Sequence, residues 1–555
     1  MSNSHDNGLV FPARDAVLPD RPCPVLPEHW KTPLHAFVHR ALLAPNKLCV
    51  KDSAGQSATN KEVLVGAIAL ALTIKDAHKD DTYVGLLVPP AKGSMIANIA
   101  VTFLGKVPVN LNYSSGSGPI NSAVSQTGLT TIYSSQKVMG KGGFDIAGAT
   151  VVMLDELAIA PENIARAAAI LQTPLVDWSK ELPGLTCGLD DTASIMFTSG
   201  STGEPKGVEL TNSNLLYNIA QMNAHAKLGE EKVLGCLPYF HSYGFGVTLW
   251  AGLVLGWELY PHANPLDARG IVQFIAENGI TAMATTPTFM RNYLKRGTKE
   301  QFASLKLLMM GSEKLKPELA RDVRDQLGKE PLEGYGCTET SPLLSCCMDF
   351  DVESPAGGTV RGTREGSVGQ MVPGSACAVV DPVTNQILPR GKANEGRIFV
   401  NGPQIMKGYY KKPEITANVL QNGWYFTGDI GCVDEDGFVY LTDRESRFAK
   451  VGPEMVPLIR VEAALRELAG VDELSIAVCA IPDPTKGEKV VVLYTADTIN
   501  PGELTKALVA TGMHALWIPK ASDFHKIDTQ FPQTASGKLD LKAIKKMAVE
   551  LDAKV

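Results

Sequence analysis

No apolar run in this 555-residue chain is long enough to span a membrane. The longest candidate, Gly244 to Leu259, is cut by glycines and Thr248 and falls short of the roughly 20 residues a bilayer asks of a helix. Its composition predicts a buried element suited to lining an apolar ligand site. Positive charge is also scarce: 52 Lys and Arg stand against 59 Asp and Glu, a net charge of −7. Nucleic acid is therefore not an expected partner, since its phosphates demand a basic face. The 10 cysteines show no paired metal-ligand spacing, and free thiols in a reducing compartment are the simplest account. The segment Met1-Ser2-Asn3-Ser4-His5-Asp6 lacks the basic and apolar regions of a signal peptide, so a cytoplasmic location is expected. Repeats and low-complexity tracts are missing too.

What the chain does contain is ample core material, at 45% hydrophobic and 20% charged residues, and a length that suggests more than one domain. Residues 1–32 carry Pro12, Pro19, Pro22, Pro24 and Pro27 and read as an irregular lead-in. From 33 to 443, short runs such as Tyr83–Val88, Thr130–Tyr133 and Leu305–Met310 alternate with amphipathic stretches. That alternation predicts an α/β fold with largely parallel sheets. Near 360–442 it gives way to strands separated by Gly, Pro, Asn and Asp, with Asp434–Gly437 as a candidate hairpin turn. Residues 444–555 predict a smaller α+β domain, with a helix at Val461–Leu468 and a basic terminal helix at Leu541–Val549.

One loop stands out. Thr198-Ser199-Gly200-Ser201-Thr202-Gly203-Glu204-Pro205-Lys206-Gly207 follows a short apolar strand, Ala193–Phe197. Its glycines let backbone approach a ligand, its hydroxyls and amides can donate to phosphate oxygens, and Lys206 adds a positive charge. No Gly-Lys-Ser/Thr closes it, which separates it from the P-loop of nucleotide triphosphatases. By composition alone a flexible Gly/Ser connector is the better reading.

Four further segments follow in order: Gly334-Tyr335-Gly336-Cys337-Thr338-Glu339-Thr340, Trp424-Tyr425-Phe426-Thr427-Gly428-Asp429, Asp443-Arg444, and Pro532-Gln533-Thr534-Ala535-Ser536-Gly537-Lys538. With the glycine loop, this series resembles the acyl-adenylate-forming superfamily of acyl-CoA synthetases, amino-acid adenylation domains and firefly luciferase. The resemblance runs through nearly the whole chain. It implies a large N-terminal adenylating domain, a small mobile C-terminal domain, and ATP and Mg²⁺ as requirements. By the same resemblance Thr198, Ser199, Gly200, Ser201, Thr202, Gly203 and Lys206 hold the β- and γ-phosphates. Thr338 meets the α-phosphate, Glu339 binds Mg²⁺, and Asp429 with Arg444 holds the ribose. Gly311, Ser312 and Glu313, with Glu333, Gly334, Tyr335 and Gly336, flank the adenine. Lys538 is the catalytic cation between carboxylate and α-phosphate, where positive charge stabilises the transition state more than the ground state.

His241, in Leu237-Pro238-Tyr239-Phe240-His241-Ser242-Tyr243-Gly244, stands where amino-acid adenylation domains carry a Phe-Asp pair. Without that aspartate an amino-acid substrate is not expected; His241 sits near the carboxylate or gates an acyl pocket, or is a packed loop histidine. The segment Arg447-Phe448-Ala449-Lys450-Val451-Gly452-Pro453-Glu454-Met455-Val456 resembles the acyl-acyl carrier protein synthetase half of bifunctional 2-acylglycerophosphoethanolamine acyltransferases. Those proteins bear an extra acyltransferase domain with a His-x4-Asp hallmark; the length leaves no room for it, and the spacing His262 to Asp267 reads as accidental. Arg447 is expected at the interdomain hinge, with Lys450 and Gly452 on the loop that meets pantetheine.

The resulting expectation is an acid–thiol ligase. It activates a medium- or long-chain fatty acid as the acyl-adenylate and passes it to the phosphopantetheine of acyl carrier protein, with CoA as the alternative acceptor. A carrier protein is acidic, which directs attention to Arg444, Arg447, Lys450 and the Lys542, Lys545, Lys546 helix face, though a lysine-rich helix is commonly just a solvated face. Collecting fatty acids would bring the protein transiently to membrane surfaces, but no segment marks such contact.

Overall fold

Runs of β-branched and apolar residues form the predicted strands, and each amphipathic stretch between them winds into a helix laid across them. The computed structural model describes residues 9–198, 204–451, 454–472, 474–485, 487–532 and 539–553; for residues 446, 448, 450, 454, 455 and 542 it describes the backbone alone. The chain divides into two compact units: one comprises 1–394, 399–427 and 432–440, and the other 395–398, 428–431 and 441–555.

In the first unit a nine-stranded sheet runs in the order Gln370–Met371, Leu343–Cys346, Pro331–Gly336, Leu307–Met310, Ala282–Thr285, Lys232–Gly235, Glu258–Pro261, Leu48–Lys51, Ser57–Thr59. Its middle is parallel and its edges antiparallel. A second, parallel sheet has four strands, Val107–Asn110, Tyr83–Leu86, Thr131–Ser134 and Thr150–Met153. A third, antiparallel one joins Gly408–Tyr409, Lys206–Thr211 and Thr192–Thr198. Parallel pairing requires crossover helices, and their ends carry the expected signals. Helix Asn60–Ile74 opens on a capping box, in which Glu62 N donates to Thr59 Oγ1 at 3.3 Å and Thr59 N to Glu62 Oε2 at 2.7 Å. Helix Ala268–Asn278 opens on Asp267 and closes on Gly279 at φ +60°.

Alternation along the strands decides what lies on each sheet face. Met283, Leu308 and Met310 pack with Ile271, Ile275, Met290 and Val323 in one core cluster, each such burial contributing about 1.5–3 kcal/mol. Their neighbours Ala282, Ala284, Leu307 and Met309 look the other way, toward helix Asn212–Ala226 and the apolar stretch after His241. That stretch is a π-helix, Tyr243–Ala251, all nine of whose residues are buried. Among the described residues no helix is long and apolar enough to cross a membrane.

Among its described residues, 9–32, the proline-rich lead-in forms no helix or strand, yet it is fastened. Leu9, Phe11 and Val17 pack against the cluster of Phe399, Trp424 and Phe426. Trp424 Nε1 donates to Ala13 O at 2.9 Å, and Arg21 lies 2.7 Å from His225 Nδ1. Asp434–Gly437 forms the expected turn, with Gly437 N donating to Asp434 O at 3.0 Å and Gly437 at φ +82°.

In the second unit, strands Phe448–Val451, Glu454–Pro457, Ile476–Asp483, Gly487–Tyr494 and Phe524–Lys526 form one sheet. Helix Leu458–Ala469 packs Val461 and Leu465 on Val478 and Val492. Helix Leu541–Asp552 packs Ile544 and Ala548 on Ala477 and Val491, which alternate with those residues. The architecture is α/β, a large N-terminal region followed by a smaller α+β one.

Candidate active site

Strand ends and the loops beyond them carry most of the sequence-predicted residues. Thr198 closes strand Thr192–Thr198 and pairs in register with Lys206, which opens the next strand; Thr198 Oγ1 donates to Lys206 O at 3.4 Å. The intervening Ser199, Gly200, Ser201, Thr202 and Gly203 lie outside the described residues. Lys206 Nζ stands 4.5 Å from the centroid of the Tyr409 ring, within cation–π range.

The phenol of Tyr409 donates to Glu339 Oε1 at 2.8 Å. Burial, with the Glu339 carboxylate next to it, pushes the Tyr409 hydroxyl far above its ordinary pKa, so it stays a donor. Met406 N also donates to Glu339 O at 2.8 Å, pinning the short 3₁₀ turn Thr338–Thr340 from its backbone. Glu339 is buried at 9% exposure. Its neighbour Thr338 receives the Ser242 hydroxyl at 3.4 Å, which connects the turn to the loop of His241. Sequence reasoning missed Tyr409 and Ser242. Tyr409 is separated from Glu339 by 70 residues, and no motif marked it.

His241 is exposed, and its ring is held from behind, Tyr243 N donating to Nδ1 at 3.2 Å. Gly244 makes this turn feasible. A Cβ there would sit 2.2 Å from Pro238 O, so no side chain fits. Gly311 N donates to Thr285 O at 3.1 Å, and Ser312 takes φ +67°, turning the chain outward at the strand end. Glu313 accepts from Thr288 Oγ1 at 2.6 Å. Gly334, Tyr335 and Gly336 belong to strand Pro331–Gly336, and a Cβ on Gly336 would overlap Pro342 O at 1.8 Å. Tyr335 is buried at 8% exposure. Glu333 is buried too, accepting from Leu315 N at 2.8 Å, and desolvation lifts its carboxyl to about 7.

In the second unit Asp429 and Arg444 meet: Arg444 Nε lies 2.7 Å from Asp429 Oδ1, with the guanidinium largely exposed and the carboxylate buried. Beside them, burial raises Asp443 to about 6 despite the Arg444 N–H bound at 2.7 Å. Arg447 is neither exposed nor at the surface. It is buried, and its Nη2 bonds Glu462 Oε2 at 2.7 Å while that same oxygen accepts from Val478 N at 2.9 Å. The Lys450 side chain, Gly452 and Lys538 lie outside the described residues. On the terminal helix Lys545 and Lys546 stand 3.9 Å from Glu488 and 4.0 Å from Glu550, so that face is partly neutralised.

His262 and Asp267 belong to the scaffold. The ring is buried 3.8 Å from the carboxylate, and Asp267 caps helix Ala268–Asn278 by accepting from Gly270 N at 3.0 Å.

Among the described residues no group of three or more His, Cys, Asp or Glu could hold a metal by itself. One buried carboxylate, Glu339, fits a hard cation that takes one or two protein carboxylates and completes its shell with substrate phosphates and water. Lys206 and the hydroxyls of Thr338 and Thr198 supply anion-binding chemistry in the same unit.

A family model described as AMP-binding enzyme matches residues 37–410. The long-chain-fatty-acid–CoA ligase of Bacillus subtilis is 34% identical over 359 residues, 63% of this chain and 60% of that one. The chain thus spans about 60% of the length of that relative. A 4-coumarate-CoA ligase of Narcissus pseudonarcissus is 28% identical over 501 residues, 87% of each chain. Among solved structures, ATP-bound MatB from Rhodopseudomonas palustris superposes with a TM-score of 0.73 at 23% identity, covering 94% of this chain and 99% of that one. The o-succinylbenzoate coenzyme A synthetase of Bacillus subtilis in complex with ATP and magnesium gives 0.72 at 22%, covering 92% and 99%. The fold expected from sequence is the fold these enzymes share.

Proposed function

The chain belongs to the AMP-binding enzyme family, and we propose that it is an acid–thiol ligase that activates a medium- or long-chain fatty acid through its acyl-adenylate. The observation that carries this reading is the convergence of Lys206 and Glu339 on one phenol, Tyr409. A cation from the phosphate loop and a carboxylate for Mg²⁺ are thereby presented together, as attack of a carboxylate on the α-phosphorus of ATP requires.

In this reading Thr198 and Lys206 hold the outer phosphates with the loop between them, and Thr338 positions the α-phosphate. Glu339, oriented by Tyr409, holds Mg²⁺, which when bound neutralises charge on the departing pyrophosphate. Glu333 and Tyr335 border the adenine, with Gly311, Ser312, Glu313, Gly334 and Gly336. Asp429 accepts from the ribose hydroxyls while Arg444 steadies its charge. His241 lies near the acid's carboxyl carbon, and Lys538 bridges the two anionic reactants. We take residues 33–443 and 444–555 as the functional domains. Arg447 remains the proposed hinge residue; its buried pair with Glu462 lies within the second unit. The cell compartment in this proposal is the cytoplasm.

CoA is the acceptor that the named relatives support. Acyl carrier protein is the second reading, supported by the Arg447–Val456 segment and weakened by the acidic partners of Lys545 and Lys546. The test is mass spectrometry of products from ATP, Mg²⁺ and a fatty-acid ladder with either CoA or holo-carrier protein. Acyl-CoA establishes the first reading, acylated carrier protein alone establishes the second, and absence of any acyl-adenylate or thioester refutes the ligase.

A further inference from the structure

Helix Asn212–Ala226 carries a stripe of polar side chains on a buried face. Asn214, Asn218, Gln221 and His225 recur at helical spacing, and all four are buried. Burying an amide costs free energy unless its donors and its acceptor are bonded, and an apolar side chain of similar size would fill the same space without that cost. Each of the four reaches backbone outside its own helix: Asn214 at Ile405, Asn218 at Leu343, Gln221 at Pro373 and His225 at Cys346.

Two of the segments held in this way belong to the surroundings of the turn Thr338–Thr340. Asn218 grips the strand that follows it: Leu343 N donates to Asn218 Oδ1 at 3.1 Å, and Asn218 Nδ2 donates to Leu343 O at 2.7 Å. Thr340 carries that anchorage back into the turn, its Oγ1 donating to Pro342 O at 2.6 Å and receiving Cys337 N at 3.1 Å. The second segment is the loop 402–409. Asn214 Nδ2 donates to Ile405 O at 2.8 Å and to Pro403 O at 2.9 Å. The Gln404 side chain is fully buried; its Nε2 donates to Ser375 Oγ at 2.6 Å, and its Oε1 accepts from Gln221 Nε2 at 3.1 Å.

That loop in turn grips the residues around Glu339. Ser341 Oγ donates to Gln404 O at 2.9 Å, Met406 N donates to Glu339 O at 2.8 Å, and Tyr409 at the end of the loop reaches the carboxylate itself. The turn is thus clamped on two sides by amides that do not touch the Glu339 side chain. A satisfied buried network of this kind is rigid, because each bond is short, directional and shielded from water. A carboxylate whose backbone is fixed beforehand has less freedom to lose when it takes a cation.

We infer that Asn218 and Gln404 are positioning residues for Glu339, fixing its turn so that the carboxylate is aimed before nucleotide and metal arrive. This rests on the reading of Glu339 as the Mg²⁺ carboxylate and extends that reading to two residues which act only through backbone.

The test is calorimetry of the full-length protein with α,β-methylene-ATP, an analogue not cleaved between its α- and β-phosphates, in the presence and absence of Mg²⁺. The ratio of the two affinities reports what the metal contributes through the protein, and a general loosening of the fold leaves that ratio unmoved. In Asn218→Leu and Gln404→Met the gain from Mg²⁺ is expected to fall about tenfold, with binding in its absence near native. Ser341→Ala removes one hydroxyl and little packing; it should lose about fivefold, and it keeps the test open should the larger changes fail to fold. Asn98→Leu is the control. It breaks an equally buried pair, in which Asn110 Nδ2 donates to Asn98 Oδ1 at 2.8 Å, and is expected to lower the melting temperature while preserving the Mg²⁺ gain. A native gain in the folded Asn218, Gln404 and Ser341 variants, or an equal loss in Asn98→Leu, overturns the positioning role alone. A wild type whose nucleotide affinity Mg²⁺ does not raise overturns Glu339 as the metal carboxylate, and this inference with it.

Discussion

Tyr409 donates its hydroxyl hydrogen to Glu339 Oε1 at 2.8 Å, while the face of the same ring receives Lys206 at 4.5 Å. A single phenol therefore orients the carboxylate proposed for Mg²⁺ and restrains the lysine proposed for phosphate. Tyr409→Phe keeps the ring and removes the donor. We expect it to lower adenylate formation about 10–100-fold, with a raised Mg²⁺ requirement and near-native melting. Steady-state kinetics against Mg²⁺ concentration would check this, and an unchanged Mg²⁺ dependence would count against the assignment.

Lys538→Ala is expected to reduce adenylate formation about 10²–10³-fold, since it removes the cation aimed at developing charge. Thioester formation from acyl-adenylate supplied ready-made should persist near the native rate. Equal loss in both half-reactions would show that Lys538 supports the fold or the second step instead.

Glu333 binds its proton more tightly folded, near 7, than the ordinary glutamate value of 4.5. The folded state therefore holds more protons between these values, and stability falls as pH rises from 4.5 through 7. The ionised, desolvated carboxylate costs on the order of 3 kcal/mol above that window. Glu333→Gln retains an acceptor for Leu315 N and should melt higher than the wild type at pH 8, with the advantage gone near pH 4.5. Melting temperatures measured across that range would contradict the assignment if the two proteins ran parallel.

Glu462 holds Arg447 and Arg466 and caps Val478 N, all inside the second unit. Glu462→Ala leaves a buried guanidinium unpaired and should destabilise that unit by about 3–5 kcal/mol. Faster hydrogen exchange in strand Ile476–Asp483 would report it. Replacing both partners, Arg447→Met with Glu462→Leu, should recover most of the loss.

Much of the fold was legible because its signals are local. The helix Leu458–Ala469 covers the predicted Val461–Leu468, and the turn at Asp434–Gly437 sits where Asp and Gly permit it. That Thr338 and Glu339 share one short turn was legible for the same reason, since they adjoin in the chain. Tyr409 was not, nor was the burial of Arg447. Each depends on a partner far along the chain, and neither Gly408-Tyr409 nor Ser446-Arg447 carries a periodicity or spacing that reports it.

The sequence by itself determined the α/β class, the order of the motifs and the family chemistry they imply, because periodicity and turn residues act over a few positions. Only the tertiary structure decided that Tyr409 joins Lys206 to Glu339, that Arg447 is buried against Glu462, and that Ala282 and Ala284 line a small apolar pocket with Val247. Those relationships arise where strands distant in sequence pack face to helix. There, the size of a side chain and the place of a hydrogen-bond partner are set by what the fold brings opposite, not by the neighbours in the chain.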